Sequence, residues 1–152
     1  MKTLEQLSHD QEVLTFKEFS NEMALELGVI MANKAAAKGY KMAFSIIINQ
    51  REVFKYGATG TTNMSDVWMQ RKANTVYKTT MSSLKARAFF AGRNSTFFDN
   101  WFVSREDHAD VGGGFPITLE NGLQIGVIVV TGLAHEDDHE FIVETLHDYL
   151  GK

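Results

Sequence analysis

The chain has no cysteine, one proline and no long hydrophobic run, and each shortage removes a class of protein. Without cysteine there are no disulfides, thiolate metal sites, iron–sulfur clusters or cysteine nucleophiles. Metal and haem ligands are then limited to five histidines and the carboxylates. No window approaches the roughly 18 apolar residues of a membrane span, and MKTLEQLSHDQEV breaks its few apolar residues with charge, so it has no signal-peptide core. These features indicate a cytoplasmic protein with no membrane partner. The formal charge of -4 also opposes binding to nucleic acid, which draws on clustered Lys and Arg. Between Arg71 and Arg87 five cations are spread over seventeen residues among aromatics and methionines, which describes a mixed helix face.

What remains is ordinary globular material: 152 residues, 44% hydrophobic and 22% charged, enough for a single domain over 1–152. EVLTF (12–16) is either a short strand or a lead-in. From Lys17 to Lys38, the residues Phe19, Met23, Leu27, Ile30, Met31 and Lys34 recur at spacings of three and four, which predicts a helix stopped by Gly39. MAFSIIINQ is rich in β-branched residues and predicts a strand, with EVFKYG as its hairpin partner. Ser65 and Asp66 are candidate N-caps for one long helix from Val67 to Ala91, closed by Gly92. Its strip of Trp68, Lys72, Thr75, Val76, Thr79 and Ser83 mixes small and polar groups, suiting either close packing or a ligand cavity.

TFFDNWFV reads as a turn or two of helix. FPITL and LQIGVIVVTGL flank Asn121-Gly122, the strongest local hairpin signal, and a last helix runs from His135 to Leu150. The order is helix, two strands, long helix, two or more strands, helix. It predicts an α+β fold with an antiparallel sheet covered by helices.

Three groups of residues carry candidate chemistry. DVGGGFPI (110–117) lacks the lysine of a P-loop and runs into a strand, so a phosphate cradle is disfavoured and the glycines give backbone room. Pro116 suits an edge or a strand start. HEDDHE (135–140) fits two readings: acidic capping of a helix start, or a metal held by His135, Glu136 and His139 in an HExxH spacing. Arg71 and Lys72 adjoin Asn74 and Thr75, where a two-pronged guanidinium suits a carboxylate or propionate.

GGGFPITLENGLQIGVIVVTGL, from Gly112 to Leu133, resembles the GGxPI…GxxIGxIxVSG signature of the GlcG/HbpS-like, or haem-degrading domain, family. Gly113–Ile117, Ile125–Leu133 and Asp138-His139 match its GGxFPI…VSGL…DH subgroup, with Thr131 in place of the usual serine. Trp68, Arg71, Lys72 and Val76 match its WxxRKxxxV stretch, Ser82-Ser83 its serine pair, and QEVLTFKEFSNEMALELG its N-terminal segment. The resemblance implies a profilin-like three-layer α/β/α arrangement with a five-stranded antiparallel sheet, assembly into homo-oligomers, and relatives that bind haem. Those relatives' haem ligands vary, so no ligand motif carries over. The combined expectation is an oligomeric binding protein for haem or another anionic small molecule. Trp68, Arg71, Lys72, Thr75, Gly113, Gly114, Phe115, Pro116 and His139 are its candidate ligand-binding residues. A haem-degrading or metal-dependent enzyme and an oligomeric scaffold are the alternatives.

Overall fold

The computed structural model describes every residue, Met1–Lys152. Six helices and four strands follow in the order α1 (Leu4–Val13), α2 (Asn21–Ala37), β1 (Ala43–Ile48), β2 (Arg51–Gly57), α3 (Asn63–Thr79), α4 (Ser83–Ala91), α5 (Phe97–Trp101), β3 (Gly114–Thr118), β4 (Gln124–Thr131) and α6 (His135–Leu150). All strand pairings are antiparallel, in the sheet order β2-β1-β4-β3. Strand alternation divides the side chains between two faces. Phe44, Ile46, Phe115, Ile117, Ile128 and Val130 face α2 and α6, where Leu27, Met31, Phe141 and Leu146 complete the larger core. Ala43, Ile47, Val127 and Val129 face Met69, Ala73 and Val76 of α3.

The sheet has four strands, not five. EVLTF forms the end of α1 and then a single bridge, with the Phe16 amide donating to Thr118 (2.9 Å) and the Glu120 amide to Phe16 (2.8 Å). Pro116 explains why pairing stops there. It shares the alternation of Thr118 and Glu120, so its backbone faces the outer edge of β3 and offers no donor to another strand. Its position in an edge strand is the one where a missing N–H costs no ladder bond.

Two helix boundaries differ from expectation. Helix α1 lies in a segment whose mixed polarity gave no stripe, yet Thr3 and Gln6 form a capping box at its start. The predicted Val67–Ala91 helix is two helices, because Thr80 takes the left-handed conformation (φ 58°) and Ser82 caps α4 through the Lys85 amide (3.2 Å). The cap of α3 is Thr62 rather than Ser65 or Asp66. Below α4 and α5, Phe90, Phe97 and Phe98 form a separate aromatic cluster.

Candidate functional site

The glycine triplet is a joint where three helices meet the sheet. Lys72 reaches from α3 beneath Gly113, and its buried Nζ donates to the Val130 carbonyl (2.9 Å) and to Asp138 Oδ2 on α6 (3.1 Å). Side-chain exposure is 3% for Lys72 and 2% for Asp138. Burial pushes the Lys72 ammonium below its ordinary value and the Asp138 carboxyl above its own, and each partner's charge opposes those shifts. Asp138 Oδ1 also accepts from the Leu133 amide (3.0 Å), tying the exit of β4 to the first turn of α6. Gly113 sits at φ 121°, where an added Cβ would lie 2.5 Å from the Val130 oxygen and 2.6 Å from Lys72 Nζ. Gly114 donates to Ser83 Oγ (2.9 Å), so the second serine of the pair fastens α4 to β3. Gly113, Gly114, Phe115, Pro116, Lys72, Thr75 and His139 are all buried.

The HEDDHE run separates into different environments. Asp138 belongs to the ion pair just described. His135 Nδ1 accepts from the Gly112 amide (3.1 Å), and burial, helped by Arg87, holds its ring below the ordinary histidine value, as an accepting nitrogen requires. The imidazole of His139 is fully buried, with neither nitrogen hydrogen-bonded. Its Nε2 lies 3.7 Å from Asp10 Oδ2 of α1. Asp10, His139 and Glu140 bring their donor atoms within 4.8 Å of one another, so the carboxylates that join His139 are Asp10 and Glu140. The trio of His135, Glu136 and His139, the alternative to acidic capping, does not form this cluster.

Open space lies on another side of α3. A cleft of about 510 Å³ is lined by Ile47, Gln50, Glu52, Gln70, Asn74, Tyr77, Lys78 and His108. The Tyr77 hydroxyl is buried with no partner at hydrogen-bond geometry; burial raises its pKa, and the neighbouring Gln50 backbone opposes that shift. Arg71 stacks its guanidinium 4.4 Å above the Trp68 ring and donates from Nη2 to the carbonyls of Arg105 (2.6 Å) and His108 (3.3 Å). Asn74 donates to the Asp107 carbonyl (2.8 Å), and Thr75 Oγ1 accepts from the Ala109 amide (3.2 Å). Of the predicted site residues, Arg71, braced by Trp68, and Thr75 therefore hold the loop that carries His108. The lining residues were missed because the predicted strip ran along the packed face of the helix. Gln70, Asn74 and Lys78, spaced by four, were the available signal for the open face.

Fold and site define the class: a mixed α/β domain whose antiparallel sheet has helices on both faces and a glycine loop locked to a buried ion pair. The chain belongs to the haem degrading protein HbpS-like family, whose model matches residues 19–147. It is 32% identical to the UPF0303 protein YE1367 of Yersinia enterocolitica over 99% of this chain and 92% of the relative. Among solved structures it is similar to the Ybr137w protein (TM-score 0.89, 23% identity, 97% of this chain and 88% of that one). It is also similar to PduOC in its haem complex (TM-score 0.70, 16% identity, 84% and 91%). No helix is long and apolar enough to cross a membrane.

Proposed function

We propose that the protein is a small cytoplasmic, oligomeric binding protein whose ligand, a polar small molecule with an anionic group, enters the cleft beside α3. The Tyr77 hydroxyl carries the reading: it is a buried donor without a partner in a cleft of ligand size. Lys78 supplies the countercharge, Gln50, Gln70 and Asn74 supply directional donors, and Glu52, held by the Ser45 hydroxyl (2.6 Å), accepts from a ligand hydroxyl or amine. Arg71, braced by Trp68, and Thr75 position the loop bearing His108. In this reading Lys72, the segment Gly113–Pro116 and His139 act from behind, fixing α3 and α6 against the sheet. Exposed Met64, Val67, Trp68, Trp101 and Phe102 offer apolar surface for self-association.

Haem is the second reading, favoured by the similarity to the PduOC haem complex. The cleft fits it poorly, because Ile47 and Tyr77 are its only hydrophobic lining residues and a macrocycle needs apolar walls. Thermal-shift titration with small carboxylates and phosphates tests the proposal. An anionic ligand should stabilise the wild type, with the effect lost in Lys78→Ala and affinity reduced about tenfold in Tyr77→Phe. Equal responses from wild type and Lys78→Ala would refute the site. A haem Soret shift abolished by His108→Ala would replace the anion with haem. Light scattering over a dilution series checks assembly, and a monomer throughout would remove that part.

A further inference from the structure

Apart from the α3 cleft, whose lining includes no residue of α1 or α6, the second turn of α6 meets α1 in an arrangement that core packing does not explain. His139 is a fully buried imidazole whose two nitrogens lack hydrogen-bond partners, and buried polar groups are nearly always paired. Its Nε2 points at Asp10 Oδ2, 3.7 Å away. Glu140 completes a set whose donor atoms all lie within 4.8 Å of one another. Lys2 Nζ makes 2.6 Å contacts with both Asp10 Oδ2 and Glu140 Oε1. A positive charge thus already bridges the two carboxylates, beside an imidazole whose nitrogens have no hydrogen-bond partner.

We propose that Asp10, His139 and Glu140 form a binding site for a divalent transition-metal ion such as Zn²⁺, and that the Lys2 ammonium is a tethered competitor the ion displaces. One imidazole nitrogen and two carboxylate oxygens are ordinary zinc donors, and they leave a fourth position for water or another ligand. Donors around tetrahedral Zn²⁺ stand about 3.4 Å apart, since each bond is about 2.0–2.2 Å. The His139–Asp10 separation of 3.7 Å needs little contraction to reach that spacing, and Glu140, on a partly exposed side chain, can swing inward. An entry path exists, because Lys2 and Glu140 line a surface cleft of about 260 Å³. Moving the lysine aside opens the buried donors to that cleft. The structure thereby gives His139 a role apart from the HExxH reading: its partners come from α1 and the adjacent position, not from His135 and Glu136.

Calorimetric titration of the full chain with Zn²⁺ near neutral pH, with circular dichroism to confirm folding, tests this. One ion per chain should bind to the wild type. Lys2→Ala should bind about tenfold tighter, because the competing ammonium is gone, and Glu140→Gln about tenfold weaker or worse. His139→Gln, if folded, should not bind at this site. Affinity should also fall as the pH is lowered, since metal displaces protons from its ligands. Lys2→Ala and Glu140→Gln alter partly exposed side chains, so the test survives if His139→Gln misfolds. Failure of both wild type and Lys2→Ala to bind would overturn the proposal, as would affinity unchanged in Glu140→Gln or weakened in Lys2→Ala. None of these outcomes depends on ligand binding at the α3 cleft, so the two readings fail separately.

Discussion

Replacing Lys72 by Met leaves the Asp138 carboxylate, with a side chain 2% exposed, without its only charge partner. Breaking a buried pair from one side costs about 3–5 kcal/mol. Asp138→Asn retains an oxygen for the Leu133 amide but removes the charge facing Lys72, and a similar loss of about 3–5 kcal/mol is expected. The double variant carries no buried charge, so its loss should be far smaller than the sum, about 1–3 kcal/mol, mainly from the Val130 carbonyl losing its donor. The coupling energy should therefore be several kcal/mol, measured by urea unfolding of the four proteins followed by circular dichroism. Independent additive losses, with coupling below about 0.5 kcal/mol, would refute the view that this pair acts as one buried unit.

The pH dependence supplies an internal check. In Asp138→Asn, Lys72 loses the charge that opposes its burial-driven downward shift, so the native state releases the proton at a lower pH than the unfolded chain. The unfolded state then binds more protons, and stability should rise with pH until the unfolded lysine also titrates. A flat profile across the alkaline range would mean that Lys72 reaches solvent in the variant.

Gly113→Ala should cost at least about 3 kcal/mol, because it adds strain at φ 121° to a collision with the Val130 oxygen and Lys72 Nζ; a loss of unfolding free energy in urea below a quarter of that would sink the close-packing account. Thr80→Gly should stabilise the protein by about 0.5–1 kcal/mol, since a β-branched residue at φ 58° pays a steric penalty that glycine avoids; thermal unfolding at a lower temperature than wild type would contradict this.

Much of the order of elements was legible because it rests on local signals. Asn121-Gly122 turns a hairpin, β-branched runs make strands, and alternation at spacings of three and four draws α2. Two boundaries were not legible for an equally physical reason. Thr80 accepts an unfavourable backbone conformation because α4 must fold back to place Ser83 against Gly114, and no local preference announces that requirement. Helix α1 has no apolar stripe, since it contributes mainly Leu7 and Asp10 to the interior. The missing fifth strand had a trace in the sequence, Pro116, but its meaning depended on which edge of β3 faces outward.

The candidate site divides the same way. Sequence determined the family signature, the absence of thiol chemistry and the absence of any long apolar helix. Tertiary structure decided what those residues do: Lys72 finds Asp138 across 66 positions, and His139 faces an aspartate 129 residues earlier. Burial then converts a predicted ligand-contacting lysine into half of an ion pair and leaves a histidine beside carboxylates without hydrogen-bond partners. Composition fixes which groups are available, but only the fold sets their distances and removes their water, and those two quantities govern charge pairing and metal affinity. DVGGGFPI marks the boundary: its letters identify the family, while the need for three successive glycines is set by α3, α4 and α6 converging on one short stretch of backbone.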